Sequence, residues 1–279
     1  MKKVSAILRQ ELQLDFRFMV FFNIHMGKFQ IDINCDLGES VGQHIVGQDE
    51  KVFPFITSCN IACGFHGGDP THMENTIKNA LKYNVQIGAH PSYPDKAGFG
   101  RRKMKLDAEE LKAILKFQVN TLTNITESLG GKVSYVKPHG ALYNTAADDK
   151  EEASVIVEAM KEMENELALL GMAGSEMETV AQNQGVPFFA EAFADRKYNS
   201  KGRLLSRTQP GSVIEEPKEA ADQVISLVLD QQVHSDQGTN IAVNAHSICV
   251  HGDNAQAVII LQAIDQALQE RKILKKAFR

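Results

Sequence analysis

Residues able to transfer protons stand at the ends of strand-like runs throughout this 279-residue chain. Four of them are histidines, namely His66, His90, His139 and His251. Three further candidates for catalysis are Asp36, Lys137 and Glu191. Imidazole and carboxyl groups can move protons near neutral pH, and a lysine can stabilise a developing negative charge. These residue types predict acid–base chemistry on a substrate that acquires negative charge.

The segments that carry these residues alternate between strand-like and helix-like patterns. Strands are predicted at 30–35, 57–62, 85–89, 132–136, 167–172, 186–192 and 240–250. Helices are predicted at 71–83, 107–129, 149–165, 175–184, 217–229 and 254–269. A capping box of Thr71 and Glu74 is expected to start the first of these helices. The alternation favours one seven-stranded parallel β/α barrel, with an open doubly wound sheet as the alternative.

In a parallel barrel the carboxyl ends of all strands meet on one face, where active sites are built. Every candidate named above follows or ends a predicted strand. We therefore expect the seven catalytic candidates to line one pocket.

Composition excludes several classes of protein. The net charge is -5 and no stripe of lysine and arginine occurs, which argues against a nucleic-acid partner. No apolar run approaches the roughly 18 residues that a membrane span needs. A glycine-rich dinucleotide turn after the first strand and a P-loop are both absent from the sequence.

Cys35, Cys59, Cys63 and Cys249 lack paired metal-binding spacing. We interpret them as reduced, mostly buried thiols of a cytoplasmic protein. The alternative is a nucleophilic Cys63, because that residue lies in a loop rich in glycine and histidine.

The first 25 residues differ from the rest of the chain. Charged residues interrupt the apolar stretches of this segment, so the segment does not resemble an export signal. We expect residues 1–25 to lie outside the catalytic domain, which would be a single barrel over 26–279 with Met26 as the start of the functional chain. Docking of a partner by this segment is the alternative.

Several motifs resemble those of the LamB/YcsF family and occur in that family's order. They are DINCDLGE at 32–39, NIACGFHGGD at 60–69, VKPHGALYN at 136–144, EAFADRKY at 191–198 and CVHGD at 249–253. The resemblance covers nearly the whole chain after residue 29. It implies a seven-stranded β/α barrel related to polysaccharide deacetylases, in agreement with the strand count.

The resemblance also implies a reaction, the ATP-coupled opening of 5-oxo-L-proline to L-glutamate. The resemblance implies that such a chain works as one subunit of an ATP-dependent 5-oxoprolinase, together with subunits B and C. Such chemistry needs positive charge for a phosphoryl group and a grip on the substrate carboxylate. Substrate or phosphate contacts are therefore expected from Asn34, Asn60, Arg101, Arg102, Asn144, Arg196, Arg207 and Asp253.

The cofactors leave alternatives open. ATP is expected, either at an unfamiliar site here or mainly in a partner subunit, because no P-loop is present. A divalent metal held by Asp36, His66, His90 and His139 is one hypothesis, and metal-free catalysis is the other. The alternative functions are a stand-alone metal-dependent deacetylase or amidohydrolase and a non-catalytic lactam-binding subunit. A homo-oligomer is compatible with each.

Overall fold

The computed structural model describes residues 29–163 and 165–279. In chain order its strands are β1 (Gln30–Leu37), β2 (Ser58–Ala62), β3 (Gln86–His90), β4 (Val133–Val136), β5 (Ala168–Met172), β6 (Phe188–Phe193), β7 (Gln232–His234), β8 (Asn240–Ala242), β9 (Ser247–Val250) and β10 (Leu274–Lys275). Strands β1 to β6 and β9 are parallel neighbours, and β9 pairs with both β6 and β1. The predicted seven-stranded barrel is confirmed, and the open sheet is wrong.

Eight helices of the described residues surround or cap this barrel. They are α1 (Asp49–Val52), α2 (Pro70–Tyr83), α3 (Ala108–Ser128), α4 (Gly140–Asp148), α5 (Lys150–Lys161), α6 (Glu176–Gln184), α7 (Pro217–Leu229) and α8 (Ala257–Glu270). None of them combines the length and apolar character that crossing a bilayer requires. The predicted extension at 1–25 and the proposed start at Met26 lie outside the described residues and stay predictions.

The predicted capping box is wrong, because α2 begins one residue earlier than expected. Asp69 is the N-cap, and its Oδ1 accepts hydrogen bonds from the backbone N–H groups of Thr71 and His72, both at 2.9 Å. Pro70 fills the first helical position, where its missing N–H costs nothing. Asp69 thus satisfies the helix start, so Thr71 has no capping role.

The predicted strand at 240–250 is two strands with different surroundings. Asn240–Ala242 pairs antiparallel with β7, whereas only Ser247–Val250 enters the barrel. Residues of β8 are exposed or half-buried, while all four residues of β9 are buried. Between the two strands, His246 turns back on β6, where its Nδ1 accepts the Ala190 N–H at 2.9 Å. Both segments contain apolar residues, so the sequence did not indicate the break between them.

Strand β1 shows how the barrel positions polar groups. Its alternate residues Ile31, Ile33, Cys35 and Leu37 belong to the apolar core. The residues between them, Asp32, Asn34 and Asp36, face the opposite way, into the barrel. There they hydrogen-bond with side chains of β2, β6 and β9. Most β/α barrels fill this space with branched apolar residues, so a polar interior is the distinctive feature of this fold.

The helix α4, which the sequence analysis did not predict, begins at the end of β4. Its N-cap residue, His139, makes no side-chain capping bond, so the usual start signal is missing. Gly140 has φ +57°, and a Cβ there would lie 2.6 Å from the Gly100 carbonyl oxygen. Only glycine suits this position. The sharp turn brings His139 back over the barrel mouth.

Candidate active site

Lys137 is the buried cation at the centre of the site. It directly follows β4, and its Nζ lies 2.9 Å from both Asp36 Oδ1 and Glu191 Oε1. Nζ also donates to Cys249 Sγ at 3.2 Å. Burial by itself lowers the pKa of Lys137, but the surrounding negative charge, above all that of Asp36, raises it well above its ordinary value. Lys137 is therefore a permanent positive charge, suited to stabilising an oxyanion and unsuited to accepting a proton.

Asp36 is kept ionised by this neighbour. Burial raises the pKa of Asp36, yet the Lys137 ammonium outweighs burial and holds that pKa well below its usual range. Its Oδ1 accepts a hydrogen bond from Asn60 Nδ2 at 2.7 Å, and its Oδ2 lies 3.5 Å from His90 Nε2. The floor of the site thus holds a fixed pair of opposite charges.

Glu191, Asn34 and Asn60 form a hydrogen-bonded group that fixes the position of Lys137 on the side away from the cavity. Glu191 Oε1 accepts from Asn34 Nδ2 at 2.8 Å, and Oε2 accepts from Tyr143 OH at 2.8 Å. Asn60 Nδ2 donates to Asn34 Oδ1 at 2.7 Å. Asn34 and Asn60 are completely buried. Asn34 and Asn60 were predicted to contact the substrate. The structure instead places both beneath the cavity, where their amides hydrogen-bond to other side chains.

Three of the predicted histidines form a buried cluster beside this floor. The rings of His66 and His139 stack with centroids 3.7 Å apart, and His90 stands edge-on to both. His90 Nδ1 donates to the Lys137 carbonyl oxygen at 2.7 Å, and His139 Nε2 donates to the Phe99 carbonyl oxygen at 2.9 Å. Since a carbonyl only accepts, these two nitrogens carry protons, and the remaining nitrogens, His139 Nδ1 and His90 Nε2, face each other at 3.0 Å. A hydrogen bond between them needs a further proton on one of the two rings. Burial lowers the pKa of His66 and of His139.

The predicted metal ligands were Asp36, His66, His90 and His139. Among the described residues, the three histidines instead converge with Glu39, with one ligand atom from each residue within 4.8 Å of the others. However, the planes of His66 and His139 are parallel within 2°. Because a lone pair lies in the plane of its ring, these two rings cannot both point at one ion. The predicted four-residue metal site does not fit this arrangement.

A second group of potential ligands comprises Asp36, Cys249 and His251, again with atoms within 4.8 Å of one another. The Lys137 ammonium already contacts Asp36 and Cys249. A metal ion there would face a positive charge at close range, so this group does not fit a metal either.

His251 is held by a carboxylate across the barrel mouth. Its Nδ1 lies 2.9 Å from Asp195 Oδ1, and its backbone N–H donates to Asp195 Oδ2 at 3.2 Å. The His251 ring stacks on Phe193 with centroids 5.3 Å apart. Burial raises the pKa of Asp195, but His251 outweighs burial and lowers it. An ionised carboxylate on Nδ1 leaves Nε2 of His251 as the nitrogen available for proton transfer.

These groups surround a cavity of about 460 Å³, a size typical of small-molecule sites. Asp36, His90, Lys137, His139 and His251 line it, as the sequence predicted for one shared pocket. Glu191 lies directly below Lys137, and His66 lies behind His139. All seven catalytic candidates are thus brought together, although two of them act through neighbours rather than on the cavity itself.

The predicted arginines divide into two groups. Arg101, Arg196 and Arg207 line the cavity, as does Asn144. Asp253 contacts both Arg101 and Arg207 and so links two of these cations. Arg102 is a correction: its side chain is 67% exposed and pairs with Asp95, away from the cavity lining. Asp95 lies only seven residues earlier and captures this guanidinium locally.

The four cysteines are free and buried, in agreement with the predicted reduced thiols. Burial raises the pKa of Cys63 to about 12. Its thiolate is therefore scarce near neutral pH, and the alternative of a nucleophilic Cys63 is not supported.

Glu39, Tyr143 and Asp195 were missing from the predicted site residues. Tyr143 lies four residues after His139, so the helical turn of α4 would have placed both at the cavity. Glu39 stood in the first motif, but its contact with His66 at 3.2 Å depends on the fold of the following loop. Asp195 and His251 are 56 residues apart and follow different strands, β6 and β9, so their pairing could not be recognised in the sequence.

The chain is similar to known proteins along most of its length. The profile of the LamB/YcsF family matches residues 31–279. The A component of 5-oxoprolinase from Acinetobacter baylyi is 45% identical over 249 residues, covering 89% of this chain and 98% of that protein. The protein of the same name from Geobacillus thermodenitrificans is also 45% identical, covering 89% and 97%.

A solved structure agrees in fold as well. The lactam utilization protein from Thermus thermophilus superposes with a TM-score of 0.84 at 38% identity, covering 89% of this chain and 99% of that chain. The family profile extends over both halves of the barrel and over every strand end that builds the cavity. This chain belongs to the LamB/YcsF family.

Proposed function

We propose that this chain is the A component of an ATP-dependent 5-oxoprolinase and that its cavity opens the lactam ring. The names and identities of its relatives support the activity. The observation that carries the proposal is the placement of the Lys137 cation at the cavity floor beside the His251–Asp195 pair. One group can stabilise negative charge and the other can move a proton, which are the two needs of amide cleavage.

The cavity residues suggest a sequence of steps. His251 takes a proton from water as the water oxygen attacks the carbonyl carbon of the lactam. The positive charge of Lys137 stabilises the negative charge that develops on the oxygens of the tetrahedral intermediate. His251 then returns the proton to the ring nitrogen as the C–N bond breaks, which gives the free amine of glutamate. We assign proton transfer to His251, whereas His90 and His139 hydrogen-bond to each other and to backbone carbonyls.

ATP enters as an activator of a stable amide. Phosphorylation of the lactam oxygen would create an imidate-like carbon that water attacks readily. Breaking of the C–N bond then leaves an acyl phosphate, which a second water hydrolyses to the carboxylate of glutamate and phosphate. The sequence contains no P-loop, so we propose that subunits B and C supply the nucleotide site. Arg101 and Arg207 at the cavity would bind the phosphoryl group of the activated lactam. The buried free thiols suit a reducing compartment such as the cytoplasm.

The test is glutamate release from 5-oxo-L-proline by this chain mixed with its subunits B and C, with and without ATP. We expect release only when all three components and ATP are present. Release by this chain without ATP would favour a stand-alone amidohydrolase. Full release when this chain is omitted would favour a non-catalytic role and overturn the proposal.

A further inference from the structure

Arg196 is a buried cation that forms no ion pair with a carboxylate of residues 29–163 and 165–279. Its side chain is 4% exposed, yet it lines the central cavity. Nη2 donates to the Leu205 carbonyl oxygen, while Nε is buried and has no hydrogen-bond partner among residues 29–163 and 165–279. A buried charged donor left unsatisfied costs free energy, so native proteins rarely retain one without a function or a ligand.

The carboxylates nearest to Arg196 are engaged elsewhere. Asp195 is adjacent in sequence, but both of its oxygens contact His251. Asp253 contacts Arg101 and Arg207. Within the described part of the chain, four arginines line the cavity. Arg203 pairs with Asp148, and Arg101 and Arg207 share Asp253, which leaves Arg196 without an ion pair of its own.

The pKa of Arg196 reflects its burial among other cations. Burial lowers the pKa of Arg196 to about 10, and the nearby positive charge of Arg207 acts in the same direction. An anion bound beside the guanidinium would relieve both effects. The pocket around Arg196 also contains apolar surface from Phe193 and Leu205, which suits the methylene groups of a small ring.

We infer that Arg196 binds the carboxylate of the lactam substrate and is the residue that selects 5-oxoproline over lactams without a carboxylate. This assignment rests on the proposed function of the cavity. A planar guanidinium matches a carboxylate in shape and charge, and a buried one gains more from the pairing than an exposed one. The more exposed Arg101 and Arg207, already linked through Asp253, are left for the phosphoryl group.

The experiment compares two ligands with the same ring. Binding of 5-oxo-L-proline and of 2-pyrrolidinone, which lacks the carboxylate, is measured by calorimetry on the full chain and its variants. We expect the wild-type chain to bind 5-oxo-L-proline more tightly, and Arg196→Met to lose about 10- to 100-fold of that affinity without a change for 2-pyrrolidinone. Arg196→Lys, which keeps the charge, should retain part of the preference.

Arg271→Met is the matched control, because Arg271 is exposed at the end of α8, away from the cavity, and its side chain donates to the Ala267 carbonyl oxygen. It should bind both ligands as the wild type does. The same variants are then assayed for glutamate release with subunits B and C, where Arg196→Met should raise KM for 5-oxoproline.

Unchanged affinity of folded Arg196→Met for 5-oxo-L-proline would overturn the inference, as would a wild-type chain without preference between the two ligands. If Arg196→Met does not fold, an Arg196→Lys variant with full wild-type preference and affinity would overturn the inference, because a lysine cannot reproduce the planar match of a guanidinium to a carboxylate. Failure of the proposed function is separate, since it appears as absent glutamate release by the wild-type complex while the binding preference persists.

Discussion

Asp195 contacts His251 at two points, through the ring Nδ1 and through the backbone N–H. This double contact fixes both the position of the residue and the orientation of its ring. A carboxylate that orients a histidine in this way sets which ring nitrogen transfers the proton.

The first prediction concerns that orientation. Asp195→Asn should lower kcat for glutamate release by about 100-fold or more, because an amide can hold His251 in the wrong tautomer. KM should change much less, since Asp195 does not line the cavity. Asp222→Asn is the control, because Asp222 pairs with Lys218 on the surface of α7. A wild-type kcat in Asp195→Asn would show that His251 is not the proton carrier.

The second prediction separates catalysis from stability at Lys137. Lys137→Met should reduce glutamate release by roughly 100-fold or more and destabilise the fold by about 3–5 kcal/mol, because Asp36 and Glu191 become buried unpaired charges. Adding Glu191→Gln should recover part of the stability without recovering activity. Urea unfolding and the glutamate assay measure the two effects. Recovery of activity in the double variant would mean that Lys137 only balances charge.

The third prediction is a pH dependence of stability that arises from Asp32. Burial raises the pKa of Asp32 from 3.8 to about 6, although Ser247, Ser58 and Thr57 donate hydrogen bonds to its carboxylate. The folded state therefore binds a proton more tightly than the unfolded chain does, so this contribution is greatest below pH 4 and is lost as pH rises to about 6. A rise of this size in the pKa corresponds to about 3 kcal/mol of folding free energy.

Asp32→Asn removes this titration. Relative to the wild type, the variant should gain stability between pH 4 and pH 7, as measured by urea unfolding at a series of pH values. Each value is compared with the wild type at the same pH, so that the titration of other carboxylates cancels. A difference that is constant with pH would contradict the prediction.

The fourth prediction tests the packing of the barrel interior. A Cβ at Gly88 would lie 2.2 Å from Cε2 of Tyr135, whose ring is completely buried. Gly88→Ala should therefore destabilise the fold by about 1–3 kcal/mol through overpacking. In a Tyr135→Ala background the same change should cost little, because the space is then open. Equal costs in both backgrounds, compared by a double-mutant cycle, would place the strain elsewhere.

Sequence patterns predicted the barrel because its strands and helices alternate with clear boundaries. They also predicted one pocket for His90, His139 and Lys137, since parallel strand ends must converge. Asn34 was predicted to contact the substrate but lies buried beneath the cavity, because the depth of a residue within the barrel depends on strand stagger. That stagger is set by pairings such as Asn34 with Ser58 and with Cys249, which the sequence does not reveal.

The partners of individual side chains were even harder to predict from the sequence. Arg102 and Arg101 are adjacent and chemically identical, yet one contacts Asp95 and the other Asp253. The choice depends on the loop at 96–102, which turns through Phe99 at φ +53° and Gly100 at φ +64°. Likewise, the stacking of His66 on His139 requires two loops to meet over the barrel, whereas the residue types alone suggested shared metal ligands.

The hydrogen-bonded interior of β1 has a consequence for how this family can evolve. Apolar barrel interiors tolerate many exchanges of one aliphatic residue for another, provided that volume is kept. Here Asp32, Asn34 and Asp36 each bind particular groups on other strands, and a change at one leaves donors or acceptors unmatched at the next. The residues that align the strands are also those that hold the Lys137 charge. New substrate preferences are therefore expected to arise in the loops around Arg196 and Arg207, where substitution leaves strand alignment intact.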